Sequence, residues 1–454
     1  MTSPGSSTLL EQALFAVEGG SPFADELLLR AMLRFEGALA QSQEALKLIP
    51  PGTAAVIARV ADALVLDPAE MARSGGHTGA LAIPVVRALT QAVGAADPAA
   101  ARYVHFGATS QDVLDSSLSL CAKDALARID DAAREAVAAG LKISERHAGT
   151  PALARTLMQP AGITTLGCRA AQWAWGLAEA RAAFARSGVD ATAVSLGGPI
   201  GTLSVGGDSG DGLQAEVSAR LGLTPGTSPW HVVRNARVRC AADAAILVGV
   251  AAKIGTDVSL GAQFEVGEYA EPAAAGRGGS SAMPHKRNPA LSLRLIAAGH
   301  RCVGLMATVF GAQTNEFERG LGGWQTETAT WPAVLETALS AMQTCATLLG
   351  GMELHADRAQ ANIDALQGVL SADRVADWLA PSLGKLEAQS HVAEWCGEAL
   401  RLREPLGSVV LRHLWELPQT VAPEGLAACF DTRPPVEAAE AMTHRLIASV
   451  RGTL

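Results

Sequence analysis

A chain of 454 residues that is 49% hydrophobic and 18% charged can bury a large core, which excludes an intrinsically disordered protein. Its formal net charge of −9 offers no basic surface for nucleic acid. Seven scattered cysteines without metal-ligand spacing argue against a disulfide framework or a zinc site, and they indicate reduced thiols. Aromatic residues make up only 4% of the chain, which favours long helices over sheets.

Targeting and membrane segments are not expected from this sequence. The first residues lack the basic segment of a secretory signal peptide. No uninterrupted apolar run reaches the roughly 18 residues of a membrane span. We therefore expect a soluble, cytoplasmic protein with no membrane and no nucleic-acid partner.

Three segments differ in their pattern along the chain. Residues 1–105 contain one helical stretch at 22–48 and then shorter ones broken by prolines and glycine pairs, which predicts a small helical domain. Residues 106–352 contain long stretches with apolar residues at helical spacing, which predicts a central bundle of long helices. The predicted long helices cover residues 115–146, 164–186, 235–268, 290–311 and 328–350. Residues 353–454 return to short helices punctuated by prolines and predict a third, small domain.

The loop at 103–112 carries the first candidate group. Thr109 and Ser110 place two hydroxyls immediately before a predicted long helix. Hydroxyls and free backbone N–H groups at a helix start can bind a substrate carboxylate. The same residues also suit a plain helix N-cap, and both interpretations stay open at this point.

Three arginine-bearing segments are weaker candidates. Before the second long helix, Arg155 could hold a carboxylate with two hydrogen bonds, with Gln159 adding a third. Near 316–319, Arg319 could act as a second carboxylate clamp. The arginines that follow Trp230-His231 are interpreted as a solvated helix face.

The loop at 278–289 is the most informative segment. It places a glycine pair, two hydroxyls, a lysine and an amide between two prolines, so it is predicted to present polar groups rather than to pack in a core. Ser280 beside Lys286 and Asn288 suits proton transfer next to a carboxylate, whose developing charge a lysine and an amide can hold. No metal site is predicted. Glu265, Glu268 and other nearby glutamates are expected to line the exposed face of the third long helix.

Taken together, the segments at 103–112, 154–160 and 278–289 resemble, in order and spacing, the three signature regions of the fumarase/aspartase superfamily. The third matches every fixed position of the pattern Gly-Ser-Ser-x-Met-Pro-x-Lys-x-Asn. The sequences of the first and third segments, together with Pro-Trp-His at 229–231 and Arg234, resemble the 3-carboxy-cis,cis-muconate cycloisomerase family within that superfamily. The resemblance covers nearly the whole chain.

The resemblance implies a fold, an assembly and a reaction. The fold would be an all-α, three-domain subunit with a central long-helix bundle. The assembly would be a homotetramer whose active sites take residues from three subunits. The reaction would need no cofactor and would act on a small di- or tricarboxylate. It would convert 3-carboxy-cis,cis-muconate to 4-carboxymuconolactone by adding a carboxylate to a C=C bond, in the protocatechuate branch of aromatic catabolism.

The resemblance also implies roles for single residues. By motif position, Ser280 corresponds to the catalytic base, and Lys286 and Asn288 correspond to the residues that stabilise an aci-carboxylate intermediate. The implied substrate-contacting residues are His105, Thr109, Ser110, Gln111, Arg155, Gln159, Ser281, Met283 and Arg319.

One departure from the superfamily pattern bears on the leaving group. Many of its lyases carry a histidine in a Thr-His-x-Gln segment that is linked to protonating the leaving group, whereas Leu157 stands at that position here. An amine leaving group benefits from such protonation. A carboxylate leaves without it, because its acid has a pKa of about 4. Lactone opening expels a carboxylate, so the missing histidine favours cycloisomerisation over amine elimination.

Other departures keep a different substrate open. Phe317 stands where a histidine is expected before Glu-Arg, and Thr328-Ala329 replaces an expected Trp-Glu pair. A nitrosuccinate lyase fits the missing histidine equally, since nitrite is also a good leaving group. A lyase of the argininosuccinate or adenylosuccinate type is less favoured. The intact Ser280, Lys286 and Asn288 argue against a non-catalytic structural homologue.

Overall fold

The fold of the chain is almost entirely helical. A computed structural model describes residues 8–204, 210–226, 229–280, 282–417, 421 and 423–453. Within these residues the regular structure consists of α-helices, short 3-10 turns and four short strands, so the predicted all-α class is confirmed.

The described helices follow one another along the chain. They are α1 (Leu9–Phe15), α2 (Asp25–Ala45), α3 (Thr53–Ala63), α4 (Pro68–Thr78), α5 (Ala82–Ala96), α6 (Ser110–Arg146), α7 (Leu166–Ala191), α8 (Gly210–Leu221), α9 (Asn235–Gly261), α10 (Ala290–Ala312), α11 (Gly323–Gly351), α12 (Ala356–Asp364), α13 (Ala372–Leu383), α14 (Lys385–Leu402), α15 (Leu406–His413), α16 (Leu426–Cys429) and α17 (Arg433–Arg451). The 3-10 turns lie at Ala100–Tyr103, Val369–Ser371 and Leu414–Glu416.

The strands form two small antiparallel pairs. β1 (Pro151–Thr156) pairs with β2 (Gln159–Thr165), and β3 (Tyr269–Ala270) pairs with β4 (Glu353–Leu354). The β1–β2 hairpin was not predicted, since its residues were assigned to a loop.

The chain divides into two compact units. Unit 1 comprises Met1–Arg134, Ala180–Lys253 and Arg294–Cys345, and unit 2 comprises Glu135–Glu179, Ile254–Leu293 and Ala346–Leu454. The boundaries fall inside the long helices α6, α7, α9, α10 and α11. The division into domains at 1–105, 106–352 and 353–454 stays a prediction.

All five predicted long helices are present. α6 has 37 residues, and the apolar positions that predicted it from Leu118 to Ala133 are at most 2% exposed. Its first turn begins earlier than predicted, at Ser110, because Asp112 accepts a hydrogen bond from the Thr109 N–H. The helices are therefore set by burial of one apolar face, as their periodicity indicated.

The predicted end of the third long helix is wrong. α9 ends at Gly261, where an added Cβ would lie 2.2 Å from the Tyr269 ring. Glu265 and Glu268 therefore do not extend its exposed face, and the Glu268 side chain is buried.

Among the described residues, α9 and α10 are each long and apolar enough to cross a membrane, and α4 with α5 would be so if the bent pair were a single span. Neither α9 nor α10 is an uninterrupted apolar run; α9 carries Arg237, Asp243 and Lys253. A helix that is apolar on most sides is also typical of the interior of a large helical protein.

Candidate active site

Asp112 organises the first candidate group, which lies in unit 1. It is fully buried, and its carboxylate accepts hydrogen bonds from three backbone N–H groups: Thr109 (3.0 Å), Gly197 (2.8 Å) and Gly198 (2.9 Å). His231 Nε2 lies 2.6 Å from the same carboxylate. The buried Asp112 side chain thus holds the start of α6 and the loop at Gly197-Gly198 together.

Glycine is required where the two loops approach each other. Gly198 has a φ of +70°, and a Cβ there would lie 3.0 Å from the Gly107 carbonyl oxygen. The glycine-rich segment at 197–201 is therefore part of the candidate group.

Arg319 joins this group from the segment before α11. Its guanidinium donates to Thr109 Oγ1 at 2.7 Å and to the Pro199 carbonyl oxygen at 3.0 Å. The structure thus brings together two of the residues proposed as substrate contacts, although they are 210 positions apart in sequence. Phe317, which lies two positions before Arg319, is 90% exposed and has a φ of +45°.

Ser110 and Gln111 open α6. Ser110 is half-buried at the helix start. Gln111 is fully buried; its Nε2 donates to the His231 carbonyl oxygen at 2.9 Å and to Asp115 at 3.3 Å. Among the described residues Gln111 Oε1 has no hydrogen-bond partner, so part of this amide is unsatisfied.

His105 lies in the loop before α6 with a left-handed backbone, at a φ of +58°. Its Nδ1 lies 2.7 Å from Oε1 of the buried Glu36 on α2. Burial lowers the pKa of the imidazole, but the charge and hydrogen bond of Glu36, with the charge of Asp112, outweigh it, so the pKa of His105 is raised. The raised pKa favours the positively charged imidazole.

A buried ionic cluster lies beside this group, and sequence reasoning missed it. Arg234 pairs with Asp115 at 2.7 Å and with Glu327 at 2.5 Å, and Arg237 pairs with Asp115 at 3.0 Å. All four side chains are at most 1% exposed, and both guanidinium groups stack on Trp230. The interpretation as a solvated face is therefore wrong for Arg234 and Arg237, whereas Arg239 is exposed.

The charges in this cluster balance each other. Burial alone would raise the pKa of Asp115, but the charges of Arg234 and Arg237 lower it to about 2. A buried carboxylate within reach of two guanidinium groups stays ionised. The available sequence signal was a carboxylate, Asp115, on the apolar side of α6.

The second candidate group is the Ser280 loop, residues 278–288 in unit 2. The Asn288 N–H donates to the Gly278 carbonyl oxygen at 2.8 Å, which closes the loop. Inside it, Ser280 Oγ accepts from the Met283 N–H at 3.1 Å, and the Lys286 N–H donates to the Met283 carbonyl oxygen at 3.0 Å. The loop therefore brings Ser280, Met283, Lys286 and Asn288 together.

Exposure differs between these side chains. Ser280 and Asn288 are half-buried, whereas Met283 and Lys286 are exposed. Ser281 lies outside the described residues. Glu271, which precedes the loop in sequence, caps α10: its carboxylate accepts from the N–H groups of Leu291 (2.9 Å) and Ser292 (2.7 Å). The cap ties the segment before the loop to the helix that follows it.

Arg155 and Gln159 lie on the β1–β2 hairpin, also in unit 2. Arg155 makes a two-pronged ion pair with the buried Glu268, at 2.8 and 3.2 Å. Burial raises the pKa of Glu268, but hydrogen bonds from Arg155 and Asn362 and the nearby guanidinium charges lower it below its ordinary value. The Arg155 guanidinium is thus held by the chain's own carboxylate, and its contact with substrate stays a prediction.

The hairpin turn exposes the position of the missing histidine. Leu157 and Met158 form the turn with φ values of +49° and +66°, and they are 96% and 67% exposed. Gln159 pairs with Thr156 across the turn and is exposed. Within the described part of the chain, no cluster of three or more His, Cys, Asp or Glu residues could hold a metal ion.

The two groups offer different chemistry. In unit 1, Arg319, Thr109 and His105 supply hydrogen-bond donors and positive charge that suit carboxylates. In unit 2, the Ser280 loop supplies a hydroxyl, an ammonium and an amide on a closed backbone. Such groups suit proton transfer beside a stabilised oxyanion.

Comparison with known proteins identifies the family to which the chain is similar. The family model described as "Lyase" matches residues 21–304. The 3-carboxy-cis,cis-muconate cycloisomerase of Bradyrhizobium diazoefficiens is 36% identical over 451 residues, covering 98% of each chain. The nitrosuccinate lyase of Streptomyces davaonensis is 37% identical over 431 residues, covering 91% of each.

The solved structures agree with the sequences. The crystal structure of the 3-carboxy-cis,cis-muconate lactonizing enzyme from Pseudomonas putida superposes with a TM-score of 0.88 at 31% identity. The match covers 98% of this chain and 100% of the other. The resemblance inferred from the three loop segments is thereby confirmed. The chain belongs to the lyase family of the fumarase/aspartase superfamily.

Proposed function

We propose that this protein is a 3-carboxy-cis,cis-muconate cycloisomerase that forms 4-carboxymuconolactone. The observation that carries the proposal is the similarity to a named cycloisomerase over 98% of both chains. The substrate class, a small carboxylate, agrees with the donors that Thr109 and Arg319 present in unit 1.

The proposed reaction is an internal addition. One carboxylate of the substrate forms a C–O bond to a carbon of the C=C bond. The π electron pair then moves onto the neighbouring carbon and into the carboxylate attached to it. Lys286 and Asn288 hold the resulting charge, and Ser280 delivers a proton to that carbon. Ser280 then regains a proton from solvent. The trianionic substrate and one proton thus give the dianionic lactone, and the step needs no cofactor.

The absent histidine at Leu157 agrees with this chemistry. In the reverse direction the lactone opens by expelling a carboxylate, which needs no protonation. An exposed apolar turn at 157–158 supplies no acid.

We further propose the assembly and location that the superfamily resemblance implies. The protein would be soluble and cytoplasmic, and it would act as a homotetramer. Each active site would take residues from three subunits. Its pathway would be the protocatechuate branch of aromatic catabolism.

A nitrosuccinate lyase is the second candidate. The observation that favours it is the 37% identity to the Streptomyces davaonensis enzyme. Nitrite, like a carboxylate, leaves without a general acid, so Leu157 does not separate the two activities.

One spectrophotometric panel tests the proposal. The protein is mixed with 3-carboxy-cis,cis-muconate, and the conjugated-diene absorbance is followed. Separate samples receive nitrosuccinate and a succinyl-amine, and fumarate release is followed. The proposal predicts rapid loss of diene absorbance and lactone as the product. Rapid release of fumarate with no diene loss would assign the protein to the lyases instead.

A further inference from the structure

Glu36 is a buried carboxylate with an unusual set of partners. It lies on α2, is 1% exposed, and meets one titratable side chain, His105, through Oε1. Its Oε2 has no hydrogen-bond partner among the described residues. Burying a carboxylate with so few donors is unfavourable unless a positive charge lies beside it. The burial of Glu36 therefore favours a charged His105.

The loop that carries His105 is held to α2 at two points. One is the Glu36–His105 contact at 2.7 Å, and the other is the hydrogen bond from Gln43 Nε2 to the Phe106 carbonyl oxygen at 2.6 Å. Between them the backbone of His105 is left-handed, with a φ of +58°, which is a strained conformation for a residue other than glycine. The loop is strained and is fixed both at the His105 ring and at the Phe106 backbone. We therefore expect the orientation of the His105 ring to matter for function.

The charge state of His105 decides what its other nitrogen can do. With Nδ1 turned to Glu36, a neutral ring presents Nε2 as an acceptor, which repels an anionic substrate. The charged ring presents an Nε2–H donor, which attracts one. Among the described residues, the charged groups that raise the His105 pKa are Glu36 from α2 and Asp112 from α6. Of these, only Glu36 makes a hydrogen bond to the ring.

We propose that Glu36 is a positioning residue that holds His105 as an imidazolium whose Nε2–H binds a substrate carboxylate. The inference rests on the proposed function for the identity of the substrate. Glu36 itself does not touch the substrate. It acts through the charge and the orientation of His105.

The test uses the variant Glu36→Gln in the full-length enzyme. Glutamine keeps the shape and the hydrogen bond but removes the charge. We expect KM for 3-carboxy-cis,cis-muconate at pH 8 to rise about tenfold for each unit by which the His105 pKa falls, with kcat changed less than twofold. The difference should shrink as the pH is lowered below 6. The matched control is Glu44→Gln on the same helix, whose carboxylate caps the Ala54 N–H at 2.7 Å and touches no histidine.

A second measurement reads the charge of His105 without any turnover. Hydrogen–deuterium exchange at the imidazole C2 position, followed by mass spectrometry, gives the pKa of single histidines. Trypsin releases residues 103–123 as a peptide with His105 as its one histidine. We expect a pKa above 6.5 in the wild-type protein and a lower one in Glu36→Gln.

The outcomes separate the two proposals. A wild-type His105 pKa below 6.5, or an unchanged value in Glu36→Gln, overturns the positioning role. Suppose that Glu36→Gln lowers the His105 pKa, but the wild-type protein does not lactonise the muconate. This result supports the Glu36–His105 pair and contradicts the proposed function. In a His105→Gln background, Glu36→Gln should add no further change in KM. A full additional loss there would assign Glu36 a merely structural role.

Discussion

The backbones of Gly278 and Asn288 meet at the base of the Ser280 loop. The Asn288 N–H donates to the Gly278 carbonyl oxygen at 2.8 Å, and Gly278 has a φ of +67°. A Cβ on residue 278 would lie 2.4 Å from the Asn288 carbonyl oxygen. Closure of the loop, and with it the placement of three proposed catalytic side chains, therefore depends on glycine at this position.

Gly278→Ala is expected to open the loop. The added methyl group clashes with backbone, which cannot rotate away, so Asn288 must move. A displacement of about 1 Å at a reacting group lowers turnover by about 100-fold. The kcat for lactonisation is the measurement.

The control for that variant is Gly276→Ala. Gly276 has a similar φ of +76°, but an added Cβ there meets nothing within 4 Å. It carries the backbone strain without the clash, so turnover should stay within a few-fold of the wild type. Equal losses in the two variants would mean that strain, and not the contact with Asn288, explains the effect.

Glu327→Gln is expected to destabilise the protein strongly. Glu327 is buried and accepts two hydrogen bonds from Arg234. Without its charge, two buried guanidinium groups face the single carboxylate of Asp115. Breaking a buried pair in this way costs about 3–5 kcal/mol, measurable by urea unfolding.

A surface pair provides the comparison for that loss. Glu216 and Arg220 on α8 lie 3.3 Å apart, and their side chains are 44% and 36% exposed. Glu216→Gln should change the free energy of unfolding by about 0.5 kcal/mol or less. A similarly small effect for Glu327→Gln would show that the buried cluster does not stabilise the fold.

His413 is expected to make the stability of the chain depend on pH. Hydrogen bonds to Glu416 and then Glu398 raise the pKa of His413 above 6.5. A raised folded-state pKa gives stability that is fully present below the unfolded value and lost as pH rises through the folded value. The wild type should therefore exceed His413→Gln in melting temperature by more at pH 6 than at pH 9.

The control for His413 is a more exposed histidine. His444 on α17 lies 3.7 Å from Glu440 and is 64% exposed. Because this contact is longer and more exposed, His444→Gln should lower the melting temperature at pH 6 by less than His413→Gln does. A parallel loss in both variants at every pH would remove the electrostatic explanation.

The long helices could be predicted because their signal is periodic and local. Long stretches with a repeating apolar stripe define α6, α7, α9, α10 and α11. The β1–β2 hairpin could not be predicted in the same way. Its two-residue turn needs left-handed backbone at both positions, which Asn-Gly normally supplies, and here it is Leu157-Met158.

The candidate site divides along similar lines. The chemistry of Ser280, Lys286 and Asn288 could be inferred because the three lie within one short segment. The partners of Arg155 and Arg234 could not, since Glu268 and Glu327 lie more than 90 positions away and only folding brings them near. An isolated sequence does not distinguish an arginine in water from one buried against a carboxylate.

The central claim is tested most directly by wild type and Ser280→Ala side by side. Both are mixed with 3-carboxy-cis,cis-muconate, and the diene absorbance and the bound substrate are followed. The account predicts fast conversion to the lactone by the wild type. It predicts a fall in kcat of about 100-fold or more for the variant, with substrate still bound. Unchanged lactonisation by Ser280→Ala, or a wild type that leaves the muconate untouched, would contradict it.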